Sequence, residues 1–166
     1  MAKALFSDIF GANISSSDAV KAWIVEHCGL DMEERTLDIT LKSENYITMN
    51  ERSALHGALL SALRLNSCAV SFIYGENALA SAACADIIAE IKIKNAALNG
   101  YFNGAEFKLT DNNVGITLKY GGYEKILDSG FENAFRALVR ERFGKEITVT
   151  FDGQLDAVEM EVPKVA

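Results

Sequence analysis

The sequence predicts an α+β protein of two similar modules, each a three-stranded sheet that contains antiparallel strands and carries helices on one face. The first observation behind this prediction is a repeat, because the tetrapeptide Ile39–Lys42 recurs as Ile116–Lys119, 77 residues further along the chain. The second is that each copy combines the two-residue hydrophobic alternation of a strand with the longer hydrophobic period of a helix. We therefore expect one α+β unit that is used twice.

The composition agrees with a chain that buries a substantial core. Of the 166 residues, 49% are apolar and 23% are charged, as in ordinary globular domains. The repeat divides this length into a first module at residues 1–76, a second at 77–154 and a short C-terminal tail or linker at 155–166.

A half-buried strand opens each copy of the repeat. Its inward-facing residues are Leu37, Ile39 and Leu41 in the first copy and Val114, Ile116 and Leu118 in the second, separated by polar residues or glycine. A closing strand rich in β-branched and aromatic residues follows at Val70–Tyr74 and, with the same offset, at Ile147–Phe151.

A helix joins the two strands in each copy. The matching apolar positions are Leu55, Leu59, Ala62 and Leu63 in the first copy and Phe131, Phe135, Leu138 and Val139 in the second. Asn50 or Ser53 is the expected N-cap of the first helix, and Ser129 that of the second. Gly144 follows Phe143 where the second helix should end, because a left-handed residue commonly terminates a helix.

Further elements precede each copy. An alanine-rich helix is predicted at about Ala78–Leu98. After it, a strand at Glu106–Thr110 should form a hairpin with the second copy through a turn at Asp111–Asn113. The first copy is predicted to begin with a short helix that ends at about Ala22, followed directly by a strand.

Each complete unit therefore reads as a helix, two antiparallel strands, one or two helices and a final strand. This αββααβ order matches the type II arrangement of the KH fold. A KH module that binds nucleic acid carries a GxxG loop between its two helices. The corresponding residues of this chain, Asp128–Phe131, read Asp-Ser-Gly-Phe and keep one glycine, so the loop argues against nucleic-acid binding.

The net charge also argues against nucleic-acid binding. The chain carries 23 acidic and 16 basic residues, which gives a formal charge of −7. Affinity for nucleic acid comes mainly from lysine and arginine side chains that displace counterions from phosphates. This charge therefore disfavours contact with DNA, although a local basic patch would still permit it.

The cysteines and the apolar segments indicate a cytoplasmic protein that does not enter a membrane. Cys28, Cys68 and Cys84 are odd in number and widely spaced, which argues against a disulfide framework and against a zinc site. Their apolar neighbours favour buried thiols in a reducing compartment. We find no apolar run that resembles a secretory signal or that has the length needed to cross a bilayer.

No catalytic residue, metal ligand or cofactor is predicted. His27 and His56 are the only histidines, and His27 and Cys28 are neighbours whose side chains diverge on a strand or on a helix. The acidic residues are scattered and show no sign of converging on a metal site.

Two groups of residues are candidates for binding. Tyr120, Gly121 and Gly122 lie between a strand and a helix, where paired glycines either let a phosphate or a peptide approach the backbone or simply form a turn. Arg136 and Arg140 share one face of the last helix. They either dock an acidic partner or belong to a solvated surface with neighbouring glutamates.

A family resemblance is carried by the segments Leu37–Tyr46 and Asn112–Ile147. Their repeated strand-and-helix pattern, with strands of the form L-x-I-x-L-K, resembles the amino-terminal region of PolC-type DNA polymerase III α subunits. These are the replicative polymerases of low-GC Gram-positive bacteria. The resemblance covers most of the chain, and it rests on repeated patterns and not on one diagnostic motif.

The resemblance implies that the parent chain polymerises DNA and proofreads with a 3′–5′ exonuclease, and that this segment is its non-catalytic accessory region. It also implies contacts with another protein of the replisome, such as the clamp loader. A stand-alone adaptor with two KH-like modules, which binds protein or nucleic acid, is the alternative prediction. A small ligand-binding protein or enzyme whose site forms only in three dimensions is a third.

Overall fold

A computed structural model describes residues 3–11, 14 and 18–156 of the chain, and it confirms the predicted α+β fold with two three-stranded sheets. Within these residues the strands are β1 (Ile24–Asp31), β2 (Thr36–Ser43), β3 (Ser67–Tyr74), β4 (Glu106–Thr110), β5 (Asn113–Leu118) and β6 (Thr148–Gly153). The α-helices are α1 (Phe6–Phe10), α2 (Met49–Leu63), α3 (Ser81–Lys94), α4 (Tyr123–Asp128) and α5 (Phe131–Phe143).

The chain divides into two compact units. One contains the described residues up to Ala83 together with Glu141–Gly144. The other contains Cys84–Arg140 and the described residues from Lys145 onwards. Each unit holds one of the two sheets.

Both sheets have the same topology. In the first, β1 and β2 run antiparallel and β3 joins β2 in parallel. In the second, β4 and β5 run antiparallel and β6 joins β5 in parallel. A short turn returns the chain in the antiparallel direction, whereas a helical crossover returns it in the parallel direction. The position of the turns and of the helices therefore fixes this arrangement, which agrees with two similar modules.

The core of the first unit lies on the face of its sheet that α2 covers. The inward-facing side chains of β2 alternate with solvent-facing ones as predicted, and those of α2 recur at helical spacing. The buried members of these two elements are Leu37, Ile39, Leu41, Leu55 and Leu59. Each side chain of this size contributes roughly 1.5–3 kcal/mol when it leaves water.

The apolar stripe of α2 is shorter than predicted. Ala62 and Leu63 were expected to be buried, but both are exposed. The reason is local, because α2 ends at Leu63 and Arg64 takes a left-handed conformation with φ 52° and ψ 46°. Ala62 and Leu63 therefore belong to the last turn of the helix, which is exposed.

The second unit keeps the predicted core on both elements except at Leu138, which is half-buried. α5 extends a full turn beyond Val139, so this residue is buried where its predicted counterpart in α2 is not. The buried side chains of β5 and α5 are Val114, Ile116, Leu118, Phe131, Phe135, Val139 and Phe143.

The closing strands of the two sheets are not in the register that a uniform offset of 77 predicts. Ile39 lies opposite Val70, whereas its repeat counterpart Ile116 lies opposite Phe151. By pairing, the closing strands are therefore equivalent at an offset of 81 residues, from position 70 to position 151. The difference of four residues arises because two helices connect the strands of the second sheet and one helix connects those of the first.

The helix before the second sheet is also shorter than predicted. It covers Ser81–Lys94, and separate 3-10 turns at Glu76–Ala78 and Ala96–Leu98 replace the expected ends. The side chain of Asn95 accepts a hydrogen bond from the backbone N–H of Ala97 at 3.2 Å. Such a bond competes with continuation of the helix.

Other local predictions are confirmed. The first copy begins with a 3-10 turn that ends at Ala22, and β1 follows it. β4 and β5 form the expected hairpin. Gly144 has a φ of 63° at the end of α5. Ser129, the expected N-cap of α5, is the C-cap of α4 and stands two residues before α5, although its hydroxyl accepts a hydrogen bond from the N–H of Phe131 at 3.3 Å.

The N-cap of α2 is Thr48, and the prediction of Asn50 or Ser53 is wrong. The Thr48 hydroxyl accepts the N–H of Glu51 at 3.3 Å, and the Glu51 carboxylate accepts the N–H of Thr48 at 2.8 Å. This reciprocal pair is a capping box, and it satisfies donors that a helix start leaves free. Asn50 and Ser53 lie inside the helix, where their side chains cannot cap it.

We expect Thr48→Ala to lower the free energy of unfolding by about 1 kcal/mol, because it removes the hydroxyl that accepts the Glu51 N–H. Ser53→Ala, at an exposed position within α2, should change it by no more than about 0.5 kcal/mol. Urea unfolding of both variants measures the difference. A larger loss from Ser53→Ala than from Thr48→Ala would contradict this assignment of the cap.

Candidate functional site

The loop between α4 and α5 occupies the place of a KH nucleic-acid loop, and it is closed by its own hydrogen bonds. The hydroxyl of Ser129 donates to the carbonyl of Ile126 at 2.6 Å and accepts from the N–H of Phe131. Gly130 is exposed with a φ of 74°, and Asp128 presents an exposed carboxylate next to it. The N–H of Phe131, the first free donor of α5, is thus already bonded to Ser129. The carboxylate of Asp128 adds a negative charge beside the loop.

Gly121 and Gly122 form a tight turn before α4. Both are buried and have positive φ angles, 77° and 94°. A side chain on Gly122 would overlap the ring of Tyr101, which packs directly against it. The missing side chain at Gly122 therefore makes room for the Tyr101 ring of the same chain. Tyr120 is half exposed, and the Lys119 ammonium lies 5.2 Å from the centre of its ring.

Arg136 and Arg140 lie on α5, away from this turn in sequence, and differ in their surroundings. The guanidinium of Arg140 donates a hydrogen bond to Glu146 at 2.8 Å and forms an ion pair with it. This contact lowers the pKa of Glu146 and raises that of Arg140. Glu146 thus neutralises the charge of Arg140, a residue for which one sequence prediction was contact with an acidic partner. The Nε of Arg136 is buried without a hydrogen-bond acceptor among the described atoms.

The histidines and cysteines are dispersed over the first sheet and the helices. His56 shares a hydrogen bond of 2.9 Å with the carbonyl of Cys68, which fixes its ring on the sheet. His27 and Cys28 are neighbours on β1 and face Thr40 and Ile39 of β2, so their side chains diverge.

The expectation of three buried thiols is wrong for Cys28. This residue lies on β1, which forms an edge of the first sheet, and it is exposed. Cys84 in α3 is buried, and burial raises the pKa of its thiol to about 11. Cys68 is half-buried, and burial, followed by the charge of Asp38, raises the pKa of its thiol as well.

Groups of three or more metal-ligating side chains are absent from residues 3–11, 14 and 18–156. The same ranges contain no helix with the length and apolar character needed to span a membrane.

Several exposed apolar side chains lie beside a groove at one end of the first sheet. Leu30 is 52% exposed, Met32 75% and Leu63 40%, and Leu65 beside them is half-buried. We call these four residues the apolar end. They border a groove of about 420 Å³.

The turn between β1 and β2 that carries this surface is held by hydrogen bonds at both ends. The Asp31 carboxylate accepts the N–H groups of Glu33 and Glu34, each at 2.9 Å. Asn66, the residue before β3, donates its backbone N–H to the carbonyl of Arg35 at 2.8 Å and its side-chain amide to the carbonyl of Glu34 at 2.9 Å. The backbone of this turn is therefore ordered, and it holds the side chain of Met32 in solvent.

Two strained residues form the rim of the groove. Arg35 and Arg64 both have a φ of 52°, and they are the non-glycine residues with positive φ in the described part of the chain. A left-handed conformation costs roughly 1–2 kcal/mol for a residue with a side chain. Backbone strain of this kind concentrates at binding surfaces and other functional sites.

The apolar end combines exposed apolar side chains with charged residues at the rim of its groove. The described residues that line the groove include no histidine, cysteine or hydroxyl group. The leucines and Met32 can bury apolar area, while Arg35, Arg64 and Asp31 can orient a charged partner.

Sequence reasoning missed this surface. Hydrophobic patterning places Met32 in a turn and Leu63 in the core stripe of a helix. The signal that was present is the pair of apolar residues Leu30 and Met32 on either side of the turn-forming Asp31. Apolar residues on both sides of a solvated turn are the local signal from which an exposed apolar surface can be inferred.

Comparison of the chain with protein-family models, with curated proteins and with solved structures finds no significant match.

Proposed function

We propose that this chain is the non-catalytic amino-terminal accessory region of a PolC-type DNA polymerase III α subunit, and that it contacts another replisome protein in the cytoplasm, such as the clamp loader. The observation that carries the protein contact is the apolar end. Exposed apolar side chains gathered around one groove are typical of surfaces that a partner covers.

The charges of the chain favour a protein partner over DNA. The formal charge of −7 repels phosphate, and Arg140, one of the candidate cations, is already paired with Glu146. Contact through Leu30, Met32 and Leu63 depends on apolar burial, which salt screens far less than it screens an attraction between exposed charges.

The repeated topology supports the placement of this chain in the polymerase. The resemblance rests on a strand-and-helix pattern that occurs twice, and the two sheets share one strand order, with one helix between the parallel strands of the first and two between those of the second. DNA synthesis and exonuclease chemistry use carboxylates that hold two metal ions. The described residues offer no such group, so in this proposal the segment docks a partner and the rest of the polymerase performs catalysis.

The second candidate is a stand-alone adaptor with two KH-like modules. The feature that favours it is the second unit, where two helices, α4 and α5, stand between the parallel strands as they do in a KH module. The two candidates differ in the length of the native reading frame. A frame that continues beyond residue 166 into polymerase sequence supports the first, and one that stops there supports the adaptor.

The binding experiment compares a clamp-loader protein with single-stranded DNA as ligands of the 166-residue chain. We expect a complex with the protein that persists from low to physiological salt, measured by titration calorimetry. Fluorescence anisotropy with labelled DNA should give a dissociation constant no tighter than roughly 10⁻⁴ to 10⁻⁶ M, the range of non-specific binding, and it should weaken steeply with salt. Sub-micromolar DNA affinity at physiological salt would overturn the protein-docking proposal.

A further inference from the structure

The rim of the groove at the apolar end carries two arginines whose side chains have no partner in the described part of the chain. Arg35 and Arg64 both line the groove, and both are exposed. Their guanidinium groups form no hydrogen bond or ion pair with any residue that the structure describes. Of the other arginines, Arg140 is paired with Glu146 and the rest are half-buried. Two available positive charges therefore border the apolar surface.

The backbone conformation at both positions is unfavourable for arginine. Arg35 and Arg64 each have a φ of 52°, a left-handed conformation that glycine adopts without strain and that a residue with a side chain does not. Elsewhere in the described part of the chain, glycines occupy the positions with positive φ. A side chain that strains its backbone and bonds to nothing described in its own chain is available for a contact outside it.

Backbone hydrogen bonds hold both arginines in place. The carbonyl of Arg35 accepts the N–H of Asn66 at 2.8 Å. The N–H of Arg64 donates to the carbonyl of Leu60, which also accepts the N–H of Leu65 at 3.0 Å. The two positive charges are therefore attached to an ordered rim, and a partner that binds there does not have to order this backbone.

Acidic side chains on the same turn limit what the two arginines can bind. Asp31 lines the groove, and its carboxylate accepts the N–H groups of Glu33 and Glu34. The side chains of Glu33 and Glu34 are exposed. Together with the formal charge of −7, these carboxylates repel a polyanion or an anionic membrane surface. A partner with a few carboxylates set among apolar side chains can reach the arginines without placing a long run of negative charge beside the turn.

We propose that the groove of the apolar end binds a short segment of a partner protein that combines acidic with apolar side chains. The carboxylates of the segment pair with Arg35 and Arg64, whose planar guanidinium groups can each donate two parallel hydrogen bonds to a carboxylate. Its apolar side chains pack on Leu30, Met32 and Leu63. Charge complementarity of this kind orients a partner whose affinity comes mainly from apolar burial. The inference rests on the proposed function of this surface and adds the chemistry of the segment that docks there.

Titration calorimetry of the full 166-residue chain with synthetic peptides of equal length tests this chemistry. One peptide places leucines among glutamates, a second has glutamine in place of each glutamate, and a third has serine in place of each leucine. We expect the leucine–glutamate peptide to bind at least about tenfold more tightly than either of the others. A glutamine peptide that binds as tightly overturns the inference. So does a leucine–glutamate peptide that shows no binding up to about 1 mM, whether or not the chain binds vesicles that contain phosphatidylglycerol.

The combined substitution of Arg35→Gln and Arg64→Gln should remove the preference for the glutamate peptide over the glutamine peptide. The matched control combines Lys94→Gln with Lys108→Gln, which removes the same amount of positive charge at exposed positions on α3 and β4. This control should keep the preference within about threefold, since exposed substitutions away from a binding surface have small effects. The urea midpoints of both double variants should match that of the unmodified chain. Equal preferences in the two double variants would show that Arg35 and Arg64 do not bind the carboxylates.

The clamp-loader protein separates this inference from the proposed function. If that protein binds and Met32→Asp weakens the complex, but Arg35→Gln with Arg64→Gln does not, the apolar end docks it without the carboxylate contacts, and the inference is overturned. If the protein does not bind while the leucine–glutamate peptide binds through both arginines, the clamp-loader contact is wrong and the preference of the groove for an acidic and apolar segment stands.

Discussion

Gly122→Ala should lower the free energy of unfolding by about 2–5 kcal/mol, one of the two largest effects we expect from a single substitution in this chain. Gly122 has a φ of 94°, and an alanine there incurs roughly 1–2 kcal/mol of backbone strain. The new methyl group would also overlap the ring of Tyr101, and overpacking of this kind costs about 1–3 kcal/mol more. Urea unfolding monitored by circular dichroism measures the sum.

Gly130→Ala separates the two contributions. Gly130 has a similar positive φ of 74°, but an added methyl group would meet no atom within 4 Å. This variant should therefore show the backbone contribution alone, about 1–2 kcal/mol. Equal losses for the two variants would show that the contact with Tyr101 is not what requires a glycine at position 122.

The elements that sequence predicted best are those whose signal is local. Strands β2 and β5 follow from alternating side chains within six residues, and the β4–β5 hairpin follows from a short polar turn. The end of α5 follows from a single glycine, Gly144, in a left-handed conformation. Each of these depends on neighbours in the chain, so the sequence contains nearly all of the information.

The features that sequence missed depend on how segments meet. The register of β6 against β5 depends on the length of the two-helix connection, and this shifts the pairing by four residues relative to the repeat. The exposure of Cys28 depends on how far the core extends over the edge strand β1. The cap at Thr48 was missed for a different reason. Its partner Glu51 is only three residues away, so a local pattern identifies it, but the start of the helix was placed too late.

In the candidate site, too, the features that sequence missed depend on contacts between distant segments. Paired glycines at 121 and 122 are consistent with either a ligand loop or a turn, and only the position of Tyr101 reveals what approaches the backbone there. Arg140 was expected either to dock an acidic partner or to lie among neighbouring glutamates, and its partner is Glu146, beyond the end of its helix. The apolar end joins residues from a hairpin turn and from a helix end, which no periodicity in the sequence connects.

Met32→Asp should weaken binding of the clamp-loader protein by about 30-fold or more, if that protein covers the apolar end as proposed. Met32 is 75% exposed, so it is available to a partner and contributes little to the fold. Hot-spot residues, which cluster near the centre of a protein interface, contribute about 2 kcal/mol or more, and a carboxylate buried there without a partner adds a desolvation penalty. Leu30→Asp tests a second residue of the same surface, and titration calorimetry gives both affinities.

The control for this surface is Ile93→Asp, which makes the same apolar-to-acidic change at a site that is 80% exposed and lies on α3, outside the apolar end. It should leave the affinity within about threefold of the unmodified chain, since exposed substitutions away from an interface change free energies by no more than about 0.5 kcal/mol. Urea unfolding should show that Met32→Asp and Ile93→Asp are comparably stable, so that a loss of binding is not a loss of fold. If Met32→Asp binds like the unmodified chain while Ile93→Asp does not, the partner contacts the second unit and the apolar end is not the docking surface.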